Sequence, residues 1–191
     1  MTEALSLVVG YLLGSVDFGI LVARSRGVDI HAAGSGNPGA SNVARTLGRK
    51  AGALVMVGDL LKGLGAAAFG ELVGGSELVG FAAGGLAVLG HCYPLWHRFK
   101  GGKGVATTMG VVWWTIPWLG LGLSVMWGAI IAATHVASFG SLAAVAVAVP
   151  AVWLWAEDRW STAIMAAISL LVVARHSDNI RRMRGGGEQT V

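Results

Sequence analysis

The chain has 191 residues, 54% of them hydrophobic and 13% charged, and a formal net charge of +4. That balance excludes an ordinary soluble globule. Its 30 glycines and eight tryptophans instead suit a polytopic membrane protein, where glycine lets helices approach closely and tryptophan favours the interfaces.

The first apolar run, residues 4–24, follows Glu3 rather than a basic segment, and no small-residue cleavage site succeeds it. It reads as a retained span, interrupted by Asp17, and not as a signal peptide. Residues 25–50 form a polar loop containing Gly34-Ser35-Gly36-Asn37-Pro38-Gly39-Ala40-Ser41-Asn42, then Arg45, Arg49 and Lys50. Glycines allow positive φ, so successive N–H groups can turn inward as an anion-binding nest. Ser41 or Asn42 suits the N-cap of a short helix through Leu47, ended by Gly48. A helix N-terminus then faces the same spot, and Arg45 can clamp phosphate.

A second span, 51–73, carries Asp59 and Lys62 three apart on one face. After the turn Gly74-Gly75-Ser76-Glu77 comes a third span, 78–96, with Gly80 and Gly84 spaced for tight helix contact. His97-Arg98-Phe99-Lys100-Gly101-Gly102-Lys103-Gly104 is a basic glycine loop leading into apolar residues 105–134. A turn at 135–138, a span at 139–156, the polar turn Glu157-Asp158-Arg159 and a span at 160–174 follow. The tail runs from Arg175 to Val191, and its Gly185-Gly186-Gly187 stretch is expected to fray.

Segment 105–134 decides the topology. As one helix it would run roughly 45 Å, too long for a bilayer core without steep tilt. Pro117 predicts a split near Thr115–Pro117, giving one short helix near 105–116 and one of ordinary length. Seven spans then bring loops 25–50 and 97–104 and the tail from Arg175 to one face. Of the 14 Lys and Arg, only Lys62, within a span, and Arg159, opposite, lie elsewhere. The other face collects Glu3, Glu71, Glu77, Glu157 and Asp158. With six spans the tail arginines would sit outside, against the positive-inside rule. The expectation is an all-α integral membrane protein of seven helices in one domain, residues 1–191. Its N-terminus is out, its C-terminus is in, and the two loops and the tail 175–191 form the site.

Two glycine loops at helix starts, several cations, His176 and Asn179 make a phosphate site. Anionic lipid accounts for Arg24, Arg181, Arg182 and Arg184, but not for the glycines. Five residues after His31, His91, His97, His135 and His176 come Gly36, Trp96, Gly102, Gly140 and Arg181, so the HxxxxD motif of thioester-using acyltransferases is absent. No cluster has metal-ligand spacing, and no metal or cofactor is expected. Gly34, Gly36 and Gly39 spell GxGxxG without a βαβ unit around them, which excludes a dinucleotide site. The arginine-rich tail is too short and membrane-adjacent to be a nucleic-acid patch.

These residues resemble the acyl-phosphate-dependent glycerol-3-phosphate acyltransferases of bacterial membranes, the PlsY family. The shared segments are Gly14-Ser15, Gly34–Asn37 with Gly39–Val43 and Arg45, Asp59 with Lys62-Gly63, Gly90-His91, Phe99–Thr107, Ser138 with Ser141, and His176 with Asn179-Ile180. Departures are Asp17 where proline is usual, Ser41 where threonine is common, and His135-Val136 in place of a basic-aromatic pair. Nothing beside Asp17 in sequence pairs its charge, which is costly within a span.

The resemblance implies a seven-helix enzyme of the bacterial inner membrane with its site facing the cytoplasm. It would transfer a fatty acyl group from acyl phosphate to the 1-hydroxyl of glycerol 3-phosphate, giving lysophosphatidate and phosphate. Ser35, Gly36, Asn37, Gly39, Ser41 and Arg45 would hold phosphate, mostly of the donor. Lys103 with Gly101, Gly102 and Gly104 would hold glycerol 3-phosphate. Ser141, His176 and Asn179 would complete the pocket, Ser141 either touching substrate or only bonding helix to helix, and His176 as hydrogen-bonding ligand or general base. Direct attack is expected, without an acyl-enzyme, a substrate phosphate oxygen taking the hydroxyl proton. The implied partners are the two substrates and the bilayer, with no nucleic acid and no obligate protein. The competing reading is a small transporter or exchanger of organic phosphates, which should show repeat symmetry between halves. None is visible in the sequence.

Overall fold

A computed structural model of the chain describes residues 1–156 and 158–191; Glu157, expected in an outer turn, lies outside the described residues. Among the described residues there are ten α-helices and no strand. The first apolar run is two helices, α1 (Thr2–Gly14) and α2 (Phe18–Arg24). Asp17 causes the break. It is the N-cap of α2, with extended backbone, and its Oδ1 accepts the Ile20 N–H at 2.9 Å. The carboxylate without a neighbour in sequence therefore sits at the positive end of a helix.

The polar loop contains a 3-10 turn, Ile30–Ala32, and α3 (Ala40–Leu47). The N-cap of α3 is Gly39 and not Ser41 or Asn42, because the Asn42 side chain is committed to the loop before it. Next come α4 (Arg49–Gly74), α5 (Glu77–Cys92) and a second 3-10 turn, Leu95–His97. The long apolar segment divides as its proline predicts, into α6 (Val105–Thr115) and α7 (Pro117–Thr134). Ile116, held at φ −138°, cannot continue a helix before Pro117, which takes the first helical position of α7. The chain ends with α8 (Ala137–Trp155), α9 (Arg159–Arg175) and α10 (Ser177–Arg184).

Among the described residues, five segments are long and apolar enough to cross a membrane: Thr2–Arg24, Arg49–Gly74, Glu77–His97, Pro117–Thr134 and Ala137–Trp155. Taken with α10, from which it is bent by 55°, α9 makes a sixth. At 11 residues, or roughly 16 Å, α6 is too short to cross by itself. It is shielded instead, with Thr107 to Val112 all buried. Its Gly110 abuts the Leu60 carbonyl on α4, and Val111 fills the notch left by Gly84 on α5.

Two cores position the loops. One joins α4, α5, α6 and α9 through Ala67, Phe81, Val88, Val111, Val112, Met165 and Val172. The other, built from Ile20, Ala23, Ile30, Val43 and Val55, anchors α2 and the polar loop to α4. Trp118, Trp153, Trp155 and Trp160 are exposed, as an aromatic belt requires. Trp113 and Trp114 turn inward instead, donating to Ser124 at 3.0 Å and to Glu71 at 2.7 Å. The tail does not fray. The Gly187 N–H bonds the Arg182 carbonyl at 2.9 Å and the Val191 N–H bonds the His135 carbonyl at 2.9 Å, folding the last residues back over the bundle end.

Candidate active site

The first glycine loop is held by its own hydrogen bonds. Gly34 and Gly36 take φ of 58° and 70°, as a nest requires. Three of its N–H groups, however, are already used. Ser35 N–H donates to Asn42 Oδ1 at 2.8 Å, Gly36 N–H to the Ala33 carbonyl at 3.0 Å, and Gly39 N–H to Asn37 Oδ1 at 2.9 Å. Those three are thus spent on the fold of the loop. Buried Asn42 completes it, donating back to the Ala33 carbonyl at 3.0 Å. What the loop offers a ligand is side chains, those of Ser35, Asn37, Ser41 and Arg45, beside the N-terminus of α3 at Ala40 and Ser41.

The second glycine loop is clamped between two residues. Arg175 donates to the Gly101 carbonyl at 2.8 Å and the Gly102 carbonyl at 3.1 Å, its guanidinium lying 5.3 Å from the Tyr93 ring centroid. Gly102 N–H donates to the His91 carbonyl at 3.1 Å. Any Cβ at Gly101 or Gly102 would overlap His91, so close approach, rather than unusual φ, demands glycine there. The loop hands Lys103 to the third segment, where its ammonium donates to Asn179 Oδ1. Burial, with Arg182 next in effect, pushes the Lys103 pKa down to about 8.

His176 occupies the turn between α9 and α10, outside the apolar helix. Its Nδ1 is 2.7 Å from the Val172 carbonyl, which can only accept, so Nδ1 carries the proton and Nε2 is left as an acceptor. Burial pushes the His176 pKa down to about 4. Next to it the Glu188 carboxylate, its side chain 8% exposed, accepts from Asn179, from Ser138 Oγ at 2.9 Å and from Arg182 Nε at 2.9 Å. Burial would raise its pKa, but these three donors outweigh it and hold the carboxyl below the usual range.

All three segments open onto one cavity of about 630 Å³. Ser35, Asn37, Gly39, Ser41, Arg45, Lys103, Gly104, Ser141, His176 and Asn179 line it. Its depth is apolar, running past Val57, Leu60 and Met109 to Leu64 and Trp113. A smaller polar cavity of about 300 Å³ shares Ser35, Asn37, Lys103 and Asn179 and adds Gly36, Gly101 and Arg175. Gly102 lines neither, lying between His91 and Arg175. Ser141 donates to the Ala137 carbonyl at 2.9 Å and accepts from Trp127 at 3.3 Å, so it bonds helix to helix while also facing the cavity.

A cationic mouth opening into an apolar slot within a helical membrane bundle suits a lipid-like anion. The glycerol-3-phosphate acyltransferase family model matches residues 4–186. The chain belongs to that family. The glycerol-3-phosphate acyltransferase of Myxococcus xanthus is 43% identical over 96% of this chain and 96% of its own. That of Geobacter sulfurreducens is 41% identical over 98% of this chain and 97% of its own. Among solved structures, PlsY (YgiH), an integral membrane glycerol 3-phosphate acyltransferase, is similar in two forms. The glycerol 3-phosphate form superposes with a TM-score of 0.94 at 36% identity, covering 100% of this chain and 96% of that one. The lysophosphatidic acid form gives 0.90 at 36% identity, covering 100% and 95%.

This acyltransferase-family site contains residues that sequence reasoning passed over. Arg182, read as a lipid-facing cation, and Glu188, read as part of a loose tail, both line the main cavity. The sequence signal for Glu188 is slight: one carboxylate after three glycines in a tail otherwise rich in arginine. Asp59 and His91 also line the cavity; unlike the other two, they belong to segments singled out in the sequence.

Proposed function

We propose that this acyltransferase takes its acyl group from acyl phosphate and passes it to the sn-1 hydroxyl of glycerol 3-phosphate, releasing lysophosphatidate and inorganic phosphate. The observation carrying this is a cavity shared by the three segments, with Arg45, Lys103 and Arg182 at its mouth and an apolar slot behind them. The donor's chain enters the slot and its phosphate meets Ser35, Asn37, Ser41 and Arg45. Lys103 and Asn179 hold the phosphate and hydroxyls of the acceptor, and Ser141 borders the slot.

The hydroxyl oxygen attacks the acyl carbonyl carbon, the carbon–oxygen bond to phosphate breaks, and a phosphate oxygen takes the hydroxyl proton. His176 orients the hydroxyl through its accepting Nε2. A base with a conjugate acid at about 4 removes a proton less readily than a phosphate dianion does. Cations already poised for the leaving phosphate make an acyl-enzyme unnecessary.

We place the chain in the bacterial inner membrane with seven spans, α6 as the short one, N-terminus out and the site facing the cytoplasm. The concentration of Lys and Arg in loops 25–50, 97–104 and the tail supports this orientation. No protein partner is needed for turnover. Purified protein with acyl phosphate and labelled glycerol 3-phosphate should form lysophosphatidate, and acyl-coenzyme A should not replace the donor. No product would overturn the reading; an isolable acyl-enzyme would overturn direct attack. His176→Gln should keep the acidic limb of the pH–rate profile, because that limb belongs to substrate phosphate.

A further inference from the structure

Beneath the second glycine loop lies a buried polar cluster that the reaction as described does not use. The Lys62 ammonium has three partners: Asp59 Oδ1 at 2.8 Å, His91 Nδ1 at 2.8 Å and the Val16 carbonyl at 2.7 Å. The last is exposed for bonding by the break between α1 and α2. Asp59, Lys62 and His91 are 2%, 7% and 4% exposed. An ammonium can only donate, and it is nearer to Nδ1 than the Asp59 carboxylate, which stands 3.4 Å away. His91 Nδ1 is therefore the acceptor, and the ring is a neutral Nε2–H tautomer fixed in orientation.

The loop rests on that ring. Gly102 lies against His91 Nε2, Gly101 against the His91 carbonyl, and the same carbonyl receives the Gly102 N–H. Arg175 holds the loop's carbonyls from the other side. The height of the loop, and with it the reach of Lys103, depends on where the imidazole lies.

We propose that Asp59, Lys62 and His91 are positioning residues: they lock the imidazole as a platform that sets the glycine loop, so that Lys103 meets the acceptor phosphate. The proposal rests on the reading that Lys103 binds glycerol 3-phosphate. It predicts a selective effect on one substrate, which loss of a mere structural contact would not produce.

The test is steady-state kinetics of His91→Phe, His91→Gln and Lys62→Met, with thermal stabilisation by glycerol 3-phosphate as a readout independent of turnover. His91→Phe should raise KM for glycerol 3-phosphate about tenfold or more, with kcat and KM for acyl phosphate held within about threefold. His91→Gln, which keeps an acceptor for Lys62, should recover part of that loss, and Lys62→Met should show the same split. Should these variants fail to fold, Asp59→Asn, which keeps an oxygen for Lys62 but removes the charge beside it, should give the same KM split. Unchanged KM for glycerol 3-phosphate in the folded variants, or an equal rise for both substrates, overturns the proposal. A wild-type protein that is stabilised by glycerol 3-phosphate yet forms no lysophosphatidate would overturn the functional reading instead.

Discussion

Lys103 donates its ammonium to the side-chain oxygen of Asn179, tying the loop before α6 to the helix after the last apolar segment across 76 residues of sequence. The bond holds an ammonium in a largely buried place that lowers its pKa to about 8. The charged form, which an anion needs, is present below that value and lost as pH rises through it.

The kcat/KM for glycerol 3-phosphate should therefore fall as pH passes about 8, since this ratio reports the free enzyme. Lys103→Arg should remove that limb from the accessible range if the longer side chain reaches the same place. Lys103→Met should lower kcat/KM about a hundredfold or more at neutral pH, the loss of a charge-assisted contact to phosphate. The same shift acts on stability with a defined sign. The unfolded chain holds its Lys103 proton to a higher pH than the folded one, so the cost of burying the charge is relieved as pH climbs above about 8. A pH profile without an alkaline limb in the wild type would sink this assignment.

Glu188 supports the same assembly from the tail. Its charge raises the pKa of Lys103, so Glu188→Gln should move the alkaline limb to lower pH. Glu188→Ala removes the shared acceptor of Asn179, Ser138 and Arg182 and should destabilise the fold by about 2 kcal/mol, as lost hydrogen bonds to charged groups do. Because the folded carboxyl is held below the usual range, its contribution is present at neutral pH and lost as pH falls through the folded pKa. Thermal melts of the two variants between neutral and acid pH measure this. Equal melting temperatures for Glu188→Ala and wild type would contradict it.

How much of this was legible in the sequence depends on how far each cause reaches. The division of 105–134 was, because the proline ring acts on its own neighbour: Ile116 leaves the helix and α7 starts at Pro117. The two glycine loops were visible as motifs, but their hydrogen bonding was not. Whether Ser35 N–H faces a ligand or the protein is decided by the Asn42 side chain, seven residues on, and the motif is silent about its rotamer. Gly101 and Gly102 were recognisable, whereas the reason for them, the His91 ring and carbonyl, comes from another helix. Glu188 was nearly hidden, since its partner Ser138 lies 50 residues earlier and its own segment reads as flexible glycine.

Asp17 gives a stability test. Its Oδ1 caps α2, but its Oδ2 is buried and has no hydrogen-bond partner among the described residues. Serine caps a helix about as well as aspartate, and an orphaned buried polar atom costs about 1–3 kcal/mol. Asp17→Ser should thus keep the cap and shed the orphan, raising the melting temperature by about 2–4 °C for a gain of about 1 kcal/mol. A lower melting temperature would mean that the free oxygen has a stabilising partner in the membrane-embedded protein.

The orientation is tested by labelling single cysteines with a membrane-impermeant thiol reagent. Cys92 is fully buried and should stay silent, so introduced positions report alone. Gly101 is unsuitable, because a side chain there would overlap the His91 carbonyl, but the exposed Ala32, Lys100 and Gly185 are free of that constraint. With seven spans and the N-terminus out, these three should label only when the cytoplasmic face is opened, while Glu3→Cys and Trp160→Cys should label in intact cells. Parity lets the pattern separate two crossings from one. Were α6 and α7 one re-entrant hairpin rather than two crossings, every later turn would keep its side, but a single crossing by α6 and α7 together would move Gly185 outside. Outside labelling of Gly185 with cytoplasmic labelling of Lys100 would therefore show that α6 does not cross as a span of its own.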